Sequence, residues 1–321
     1  MISVVQLGVL DYAEGLRLQQ MLVARRKAGE IGDVLLLLEH APVITLGRNA
    51  KTANVLVSTE ALAARGVEVF ECDRGGDVTF HGPGQIVGYP IFDLRGFERS
   101  SQFPVPGSQK SGSQTISSQL RVPSSQQDQT KESLPAGRKT LGAVDYVRRL
   151  EEVLIRTCAD FGIPAKRVPK LTGVWTDISP GEHNREGHDF SRADTNRGEG
   201  AASAAEVSTE AKLAAIGVHI SRSVTSHGFA LNVNTDLSYF DLIVPCGIVA
   251  KPVTSMRKEL GREVDASKVA ESISRNFGFV FGRQMVWVET LDALLGHSVG
   301  VPMSVPKEVR RLHEEGDPHF A

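Results

Sequence analysis

Between Arg74 and Gln85 the chain reads RGGDVTFHGPGQ, placing five glycines and prolines, an arginine and a histidine within twelve residues. Such a run cannot be an ordinary helix or strand. Glycine admits positive φ and close backbone approach, while Pro83 fixes its own φ and removes a donor. The expected product is a rigid loop with exposed amides. Apolar segments flank it, Val67 to Phe70 before and Ile86 to Phe92 after, and both read as strands. A glycine-rich loop between core strands fits a binding-site floor better than a plain turn, because turns seldom need Arg, His and Gln together. It is neither a phosphate loop nor a dinucleotide loop, since no Gly-Lys-Ser/Thr follows and the glycine spacing differs.

The chain of 321 residues is 41% hydrophobic, which is ample for a core. A formal charge of -2 and a pI near 6.5 argue against general attraction to nucleic acid or membranes. No apolar run approaches the roughly 20 residues of a membrane span, and the first arginine, Arg17, follows Asp11 and Glu14, unlike a transit peptide. These features predict a soluble, cytoplasmic protein. Cys72, Cys158 and Cys246 are odd in number and far apart, so they match reduced thiols rather than a disulfide framework or a Cys-x-x-Cys metal site. His183 and His188 lack cysteines or carboxylates at ligand spacing, so no metal is expected.

Taken in order, Ser3 to Leu10 reads as a strand, and a helix runs from Asp11 until Gly29 to Gly32 ends it. Val34 to His40 and Val43 to Gly47 read as two further strands, with His40 a structural strand-end group. Ser58 caps a short helix to Arg65. The stretch Ser101 to Leu134 holds nine Ser and seven Gln and few apolar residues, too little to offset its own ordering, so about 98–138 reads as a disordered insertion. Apolar residues from Leu141 to Cys158 recur at helical spacing, with Arg148, Arg149, Glu151 and Glu152 assigned to the opposite, polar side. Gly173 to Thr176 reads as a strand with Trp175 facing the core or a ligand channel. A second polar insertion is expected at about 179–208.

Two residues carry reactive chemistry. Lys212 interrupts the apolar strand AKLAAIGVHI, and a lysine there is costly without a partner or a task, although it is also placed to snorkel at the strand start. Ser226, His227 and Gly228 read as a turn opening the next strand. Cys246 lies between Pro245 and Gly247 at the end of FDLIVPCGIV, which takes it out of regular pairing and onto an exposed turn suited to a nucleophile.

Together RGGDVTFHGPGQ, KLAAIGVHISRSVTSHGFALNV and IVPCGI resemble the lipoyl (octanoyl) transferase family, over nearly the whole chain except the two polar insertions. The resemblance implies a single catalytic domain over 1–321 of α/β (α+β) class. Its fold would be a mixed central sheet flanked by helices, like biotin and lipoate protein ligases. The implied reaction moves octanoyl from octanoyl-acyl carrier protein to a lysine of lipoyl domains, in 2-oxoacid dehydrogenase E2 subunits and the glycine cleavage H protein. By motif position Cys246 matches the cysteine that holds the acyl thioester, and Lys212 the lysine that lowers its pKa. The implied substrate contacts are Arg74, Gly75, Gly76, Asp77, Val78, Thr79, Phe80 and His81, with Ala215, Ile216, Gly217, Gly228, Phe229 and Ala230. No cofactor or metal is implied, and the enzyme would act as a monomer. Two alternatives stand beside this reading, an ATP-dependent lipoate-protein ligase and a non-catalytic acyl or carrier-protein binding module.

Overall fold

A computed structural model describes residues 1–97, 140–177, 210–248 and 251–295. The two expected insertions, at about 98–138 and 179–208, lie outside the described residues. Along the chain the elements are β1 (Ile2–Leu10), α1 (Tyr12–Ala28), β2 (Asp33–His40), β3 (Val43–Leu46), α2 (Thr59–Ala64), β4 (Glu68–Glu71), β5 (Val78–His81) and β6 (Gln85–Ile91). There follow α3 (Ala143–Asp160), β7 (Ala165–Val168), β8 (Leu171–Asp177), β9 (Glu210–Ser221), β10 (Val224–Asn232), α4 (Met256–Leu260), α5 (Ala266–Phe281), β11 (Met285–Trp287) and α6 (Leu291–Leu295).

Eight strands form one mixed sheet in the order β11-β1-β2-β6-β10-β9-β8-β7, and β4-β3-β5 form a second, smaller sheet. In the large sheet β1 pairs in parallel with β2 and β11, and the remaining pairs are antiparallel. Helices α3 and α5 cover one face, where Leu150, Leu154, Ile273 and Phe277 pack on Val4, Leu35 and Phe229. The other face carries α1, whose Leu22 packs among Leu36, Val87 and Ile91. Burial on both faces explains why β2 is apolar at five consecutive positions, Val34 to Leu38.

Caps set the helix ends as composition dictates. The Ser58 side chain accepts from the Ala61 amide at 3.3 Å, Asp265 caps α5, and Gly29, Gly261 and Gly282 end their helices in the left-handed region.

Three local expectations are corrected. The Arg74 to Gln85 run is not one loop. Val78 to His81 forms β5, because valine, threonine and phenylalanine are good strand formers and only the glycines around them need to turn. Residues Arg149, Glu151 and Glu152 of α3 are buried rather than solvent-facing, and Glu151 and Glu152 receive Arg167 from β7 at 3.0 and 2.8 Å. Val144, read as part of the apolar face, is 72% exposed. Finally, the turn between β9 and β10 falls at Arg222 and Ser223, both at positive φ, so His227 lies inside β10.

Candidate active site

The site lies where the face of the large sheet bearing α1 meets the small sheet. Strict alternation along β9 puts Ala214, Ile216, Val218 and Ile220 toward the helices α3 and α5, and would send Lys212 the same way. A β-bulge prevents this. Strand β8 advances one residue, Val174 to Trp175, while β9 advances two, from Ala214 to Lys212. Leu213 and Ala214 therefore both enter the helix-side core, and Lys212 emerges on the opposite face with Ala215 and Gly217. Its backbone is clamped on both sides, donating to the Pro252 carbonyl and accepting from Thr254, each at 2.9 Å.

Lys212 is 6% exposed, and its Nζ lies 3.0 Å from the Cys246 Sγ and 4.7 Å from the centroid of the Trp175 ring. Among the described residues no carboxylate lies within 4.0 Å of that nitrogen. Glu210, two residues away, is instead engaged by Lys166 and Lys251. A buried amine needs a polar partner, and the Cys246 sulfur is the group placed to supply it. The Trp175 face adds attraction for the protonated amine.

Cys246 sits at the centre of a single-turn 3-10 segment, Pro245–Gly247, and its own φ of 57° is left-handed. That conformation costs a side-chain-bearing residue about 1–2 kcal/mol, so neighbouring contacts must hold it. They come from Asn54, whose carbonyl accepts from Val244 at 2.7 Å and whose Nδ2 donates to Asp77 Oδ2, also at 2.7 Å. The same Asp77 oxygen lies 2.7 Å from where a Cβ on Gly247 would stand, so only glycine, itself at φ +68°, fits beside the cysteine.

Arg74 organises the loop that roofs the site. It is 8% exposed, and its Nη2 donates to the carbonyls of Thr45 and Asp77 at 2.7 Å and to Thr45 Oγ1 at 2.9 Å. From Thr45 a directed chain of hydrogen bonds runs below the pocket. The Thr45 hydroxyl faces His81 Nε2 at 3.5 Å, His81 Nδ1 donates to Gln85 Oε1 at 2.7 Å, and Gln85 Nε2 donates to Asn232 Oδ1 at 2.8 Å. Asn232 Nδ2 completes it on the Thr254 carbonyl at 2.9 Å, next to Lys212. Burial pushes the His81 pKa down to about 3, assisted by His40 and Arg74, which keeps the ring neutral and fits this pattern.

These groups enclose a cleft of about 480 Å³, part of it open to solvent. Arg74, Gly75, Gly76, Asp77, Thr79, His81, Ala215, Ile216, Gly217, Gly228, Phe229, Ala230 and Cys246 all line it. Val78 and Phe80 do not. They alternate to the other face of β5, into the small-sheet core, where Phe80 stacks on Tyr239 at 4.7 Å. Lys212 borders an adjoining small cavity shared with Cys246, Gln85 and Asn232. Of the other thiols, Cys72 and Cys158 are buried, and burial raises the Cys158 pKa to about 12.

Sequence reasoning missed Tyr12, Val87, Tyr89 and His227, which also line the cleft. Val87 and Tyr89 were legible in principle as alternate residues of one strand. His227 was not, because its carboxylate partner is distant in sequence. Its Nε2 lies 2.6 Å from Asp73 Oδ1, and burial lowers the His227 pKa despite that carboxylate. The amides also divide differently from the expectation of free loop donors, since Gly75 donates to Val218 and Val78 to the Asp77 side chain. The Gly76 and Asp77 amides have no acceptor among the described residues.

Comparison with known proteins adds the following. The family described as lipoyl protein ligase A/B catalytic domain matches residues 11–105 and 133–278. A protein of Koribacter versatilis named octanoyltransferase is 48% identical over 315 residues, covering 98% of each chain. Another octanoyltransferase, of Acidobacterium capsulatum, is 47% identical over 92% of this chain and 96% of its own. Among solved structures, an archaeal bipartite lipoate protein ligase from Thermoplasma acidophilum superposes with a TM-score of 0.53 at 11% identity, over 91% of this chain and 88% of that one. At that identity the likeness speaks for the fold alone.

Proposed function

The chain belongs to the lipoyl protein ligase A/B catalytic-domain family and acts as an octanoyltransferase in protein lipoylation, and we propose that it does so through a thioester on Cys246 with Lys212 as its proton partner. The observation that carries this reading is the 3.0 Å contact between the buried Lys212 amine, which has no carboxylate within 4.0 Å among the described residues, and a thiol lining the cleft.

The steps balance without an external acid or base. The Cys246 thiolate attacks the carbonyl carbon of octanoyl-acyl carrier protein, and the bond to the carrier sulfur breaks. The departing sulfur takes its proton from the Lys212 ammonium. One thioester replaces another of similar energy, and Lys212 is left as a neutral amine. The acceptor, a neutral lysine amine of a lipoyl domain, then attacks the acyl-enzyme carbonyl. Lys212 takes the proton released, the Cys246 thiolate departs, an amide has formed, and the starting ion pair is restored. The oxyanion of each tetrahedral intermediate is served by the Gly76 and Asp77 amides at the cleft wall. Arg74 and His81 are held by neutral partners and keep the loop and the strand beside it in place.

Substrate specificity within this reading is that of a monomeric, cytoplasmic single-domain enzyme for acyl carrier and lipoyl domains, and it requires no nucleotide. Incubation with octanoyl-carrier protein and a lipoyl domain in the absence of ATP tests it. Transfer under those conditions supports the reading. Transfer only from free octanoate with consumption of ATP would make the chain a ligase instead, and the thiol incidental.

A further inference from the structure

Strand β10 contains one residue whose backbone departs from a strand. His227 has a φ of +55°, although Val218 pairs with it across the ladder. Strict alternation would send its ring toward α3 and α5 with Phe229 and Leu231, which pack in that core. The left-handed backbone reverses it. The ring emerges in the cleft, perpendicular to Tyr89 at 6.4 Å between centroids, and the His227 amide donates to Gln19 Oε1 of α1 at 2.7 Å. A residue with a side chain keeps such a conformation only where its surroundings over-determine it.

The ring reaches the loop that roofs the site. Its Nε2 donates to Asp73 Oδ1 at 2.6 Å. Burial lowers the His227 pKa and keeps the ring neutral, while this hydrogen bond, more than any other influence, holds the Asp73 carboxyl below the usual carboxylate range. The second Asp73 oxygen lies 3.4 Å from His219 Nδ1. Arg48 contacts the same His219 nitrogen and donates from Nε to the Asp73 carbonyl at 2.7 Å.

Asp73 leads directly into Arg74, Gly75, Gly76 and Asp77, and the last two carry the amides that have no acceptor among the described residues. On the side of the small sheet the loop is held by backbone bonds. The amides of Gly47, Arg48 and Asn49 donate to the carbonyls of Asp77, Arg74 and Gly76 at 3.3, 3.1 and 3.1 Å. On the side of the large sheet, among the described residues, the one backbone bond runs from the Gly75 amide to the Val218 carbonyl at 3.1 Å. Val218 is the ladder partner of His227, so this bond and the imidazole grip the loop at the same rung. Between them the two glycines turn freely unless both ends are fixed.

Resting on the acyl-transfer reading above, we propose that His227 is a positioning residue: through Asp73 it holds the roof loop against the large sheet, so that the Gly76 and Asp77 amides are aimed at the acyl oxygen before the tetrahedral intermediate forms. Such a role acts on the transition state and is read in kcat rather than KM. The test is steady-state octanoyl transfer from octanoyl-carrier protein to a lipoyl domain by His227→Asn, His227→Gln, Asp73→Ala and the double variant of His227→Asn with Asp73→Ala. Asparagine tolerates the left-handed backbone but is too short to reach Asp73, whereas glutamine restores a donor of similar reach. In His227→Asn and Asp73→Ala kcat should fall about 10- to 100-fold with KM within about threefold of wild type, because a donor misplaced by about 1 Å forfeits much of its effect. His227→Gln should regain part of the loss. The double variant should be no slower than Asp73→Ala alone, since both substitutions break one contact. Asp73 is half-exposed, so Asp73→Ala carries the test where His227→Asn does not fold. Wild-type kcat in either folded single variant, a loss expressed in KM alone, or single losses that multiply in the double variant would overturn the proposal and leave the transfer reading intact. Failure of wild-type protein to form any octanoyl adduct on Cys246 would overturn both.

Discussion

Replacing Lys212 by methionine keeps much of the stem and removes the charge that lies 3.0 Å from the Cys246 sulfur. At an effective dielectric near 20, a unit charge pair at that distance attracts by about 5 kcal/mol. Desolvation of both ions offsets part of this, so the thiolate is expected to lose a net stabilisation of about 1.4–2.7 kcal/mol, or 10- to 100-fold in population. Trp175 remains as an apolar floor, so methionine packs where the stem did and the fold persists. The assay is the rate of Cys246 alkylation at pH 7, read by peptide mass in protein whose circular dichroism matches wild type. The rate should fall at least tenfold and recover as pH rises. Octanoyl transfer should fall further and recover less, because the variant has also lost its proton acceptor. Lys212→Arg separates the two roles, since it keeps a charge but cannot give up its proton. Alkylation should then be largely retained while transfer is lost. Unchanged alkylation in folded Lys212→Met would refute the ion pair and leave the buried ammonium without a function.

Three further outcomes are expected. Arg74→Lys cannot reproduce the forked bonds to Thr45 and Asp77; it should destabilise by about 1–3 kcal/mol through the unpaired carbonyls, lower transfer, and leave the far-ultraviolet circular dichroism unchanged. Gly247→Ala brings a Cβ to 2.7 Å from the Asp77 carboxylate and should reduce acyl-enzyme formation more than it reduces the melting temperature, because the strain falls on the cysteine turn. Burial lowers the pKa of His40 to about 4 and of His81 to about 3. An unfolded histidine titrates near 6.5, so the unfolded state binds protons first, and stability present above about pH 6.5 is lost as pH falls toward 4, by about 2 kcal/mol per histidine at pH 5. Urea midpoints between pH 7.5 and 4.5 check this, and His40→Gln should flatten the curve.

Much of the architecture was legible because burial on two faces writes long apolar runs into β2 and β6. The helices α1, α2 and α3 declared themselves by period and caps. What could not be read is the outcome of tertiary competition. Glu151 and Glu152 look solvent-facing on a helical wheel, and their burial is tolerable because Arg167 arrives from β7 to join Arg148 and Arg156 on them. The face chosen by Lys212 depends on a bulge that no residue type announces, since Leu213 is as good in a regular strand as in a bulged one. The conjunction of Cys246 and Lys212 was suggested by motif resemblance and not by spacing, and a separation of 34 positions carries no periodic signal for a contact. The reading of Arg74 to Gln85 as one loop failed because glycine density masked a four-residue strand. Nothing before folding indicated that Tyr89, at the cleft wall, would be fixed by a strand-end histidine.

The central claim is that octanoyl passes through a bond to Cys246. The most direct test mixes the protein with octanoyl-carrier protein, without nucleotide, and follows intact and peptide mass before and after a lipoyl domain is added. The account predicts one octanoyl group on the peptide containing Cys246, its loss on addition of the acceptor at a rate no slower than turnover, and its appearance on the acceptor lysine. Cys246→Ala should show neither adduct nor transfer. Octanoyl transfer by folded Cys246→Ala at the wild-type rate, or an adduct on another residue that discharges to the acceptor, would contradict it.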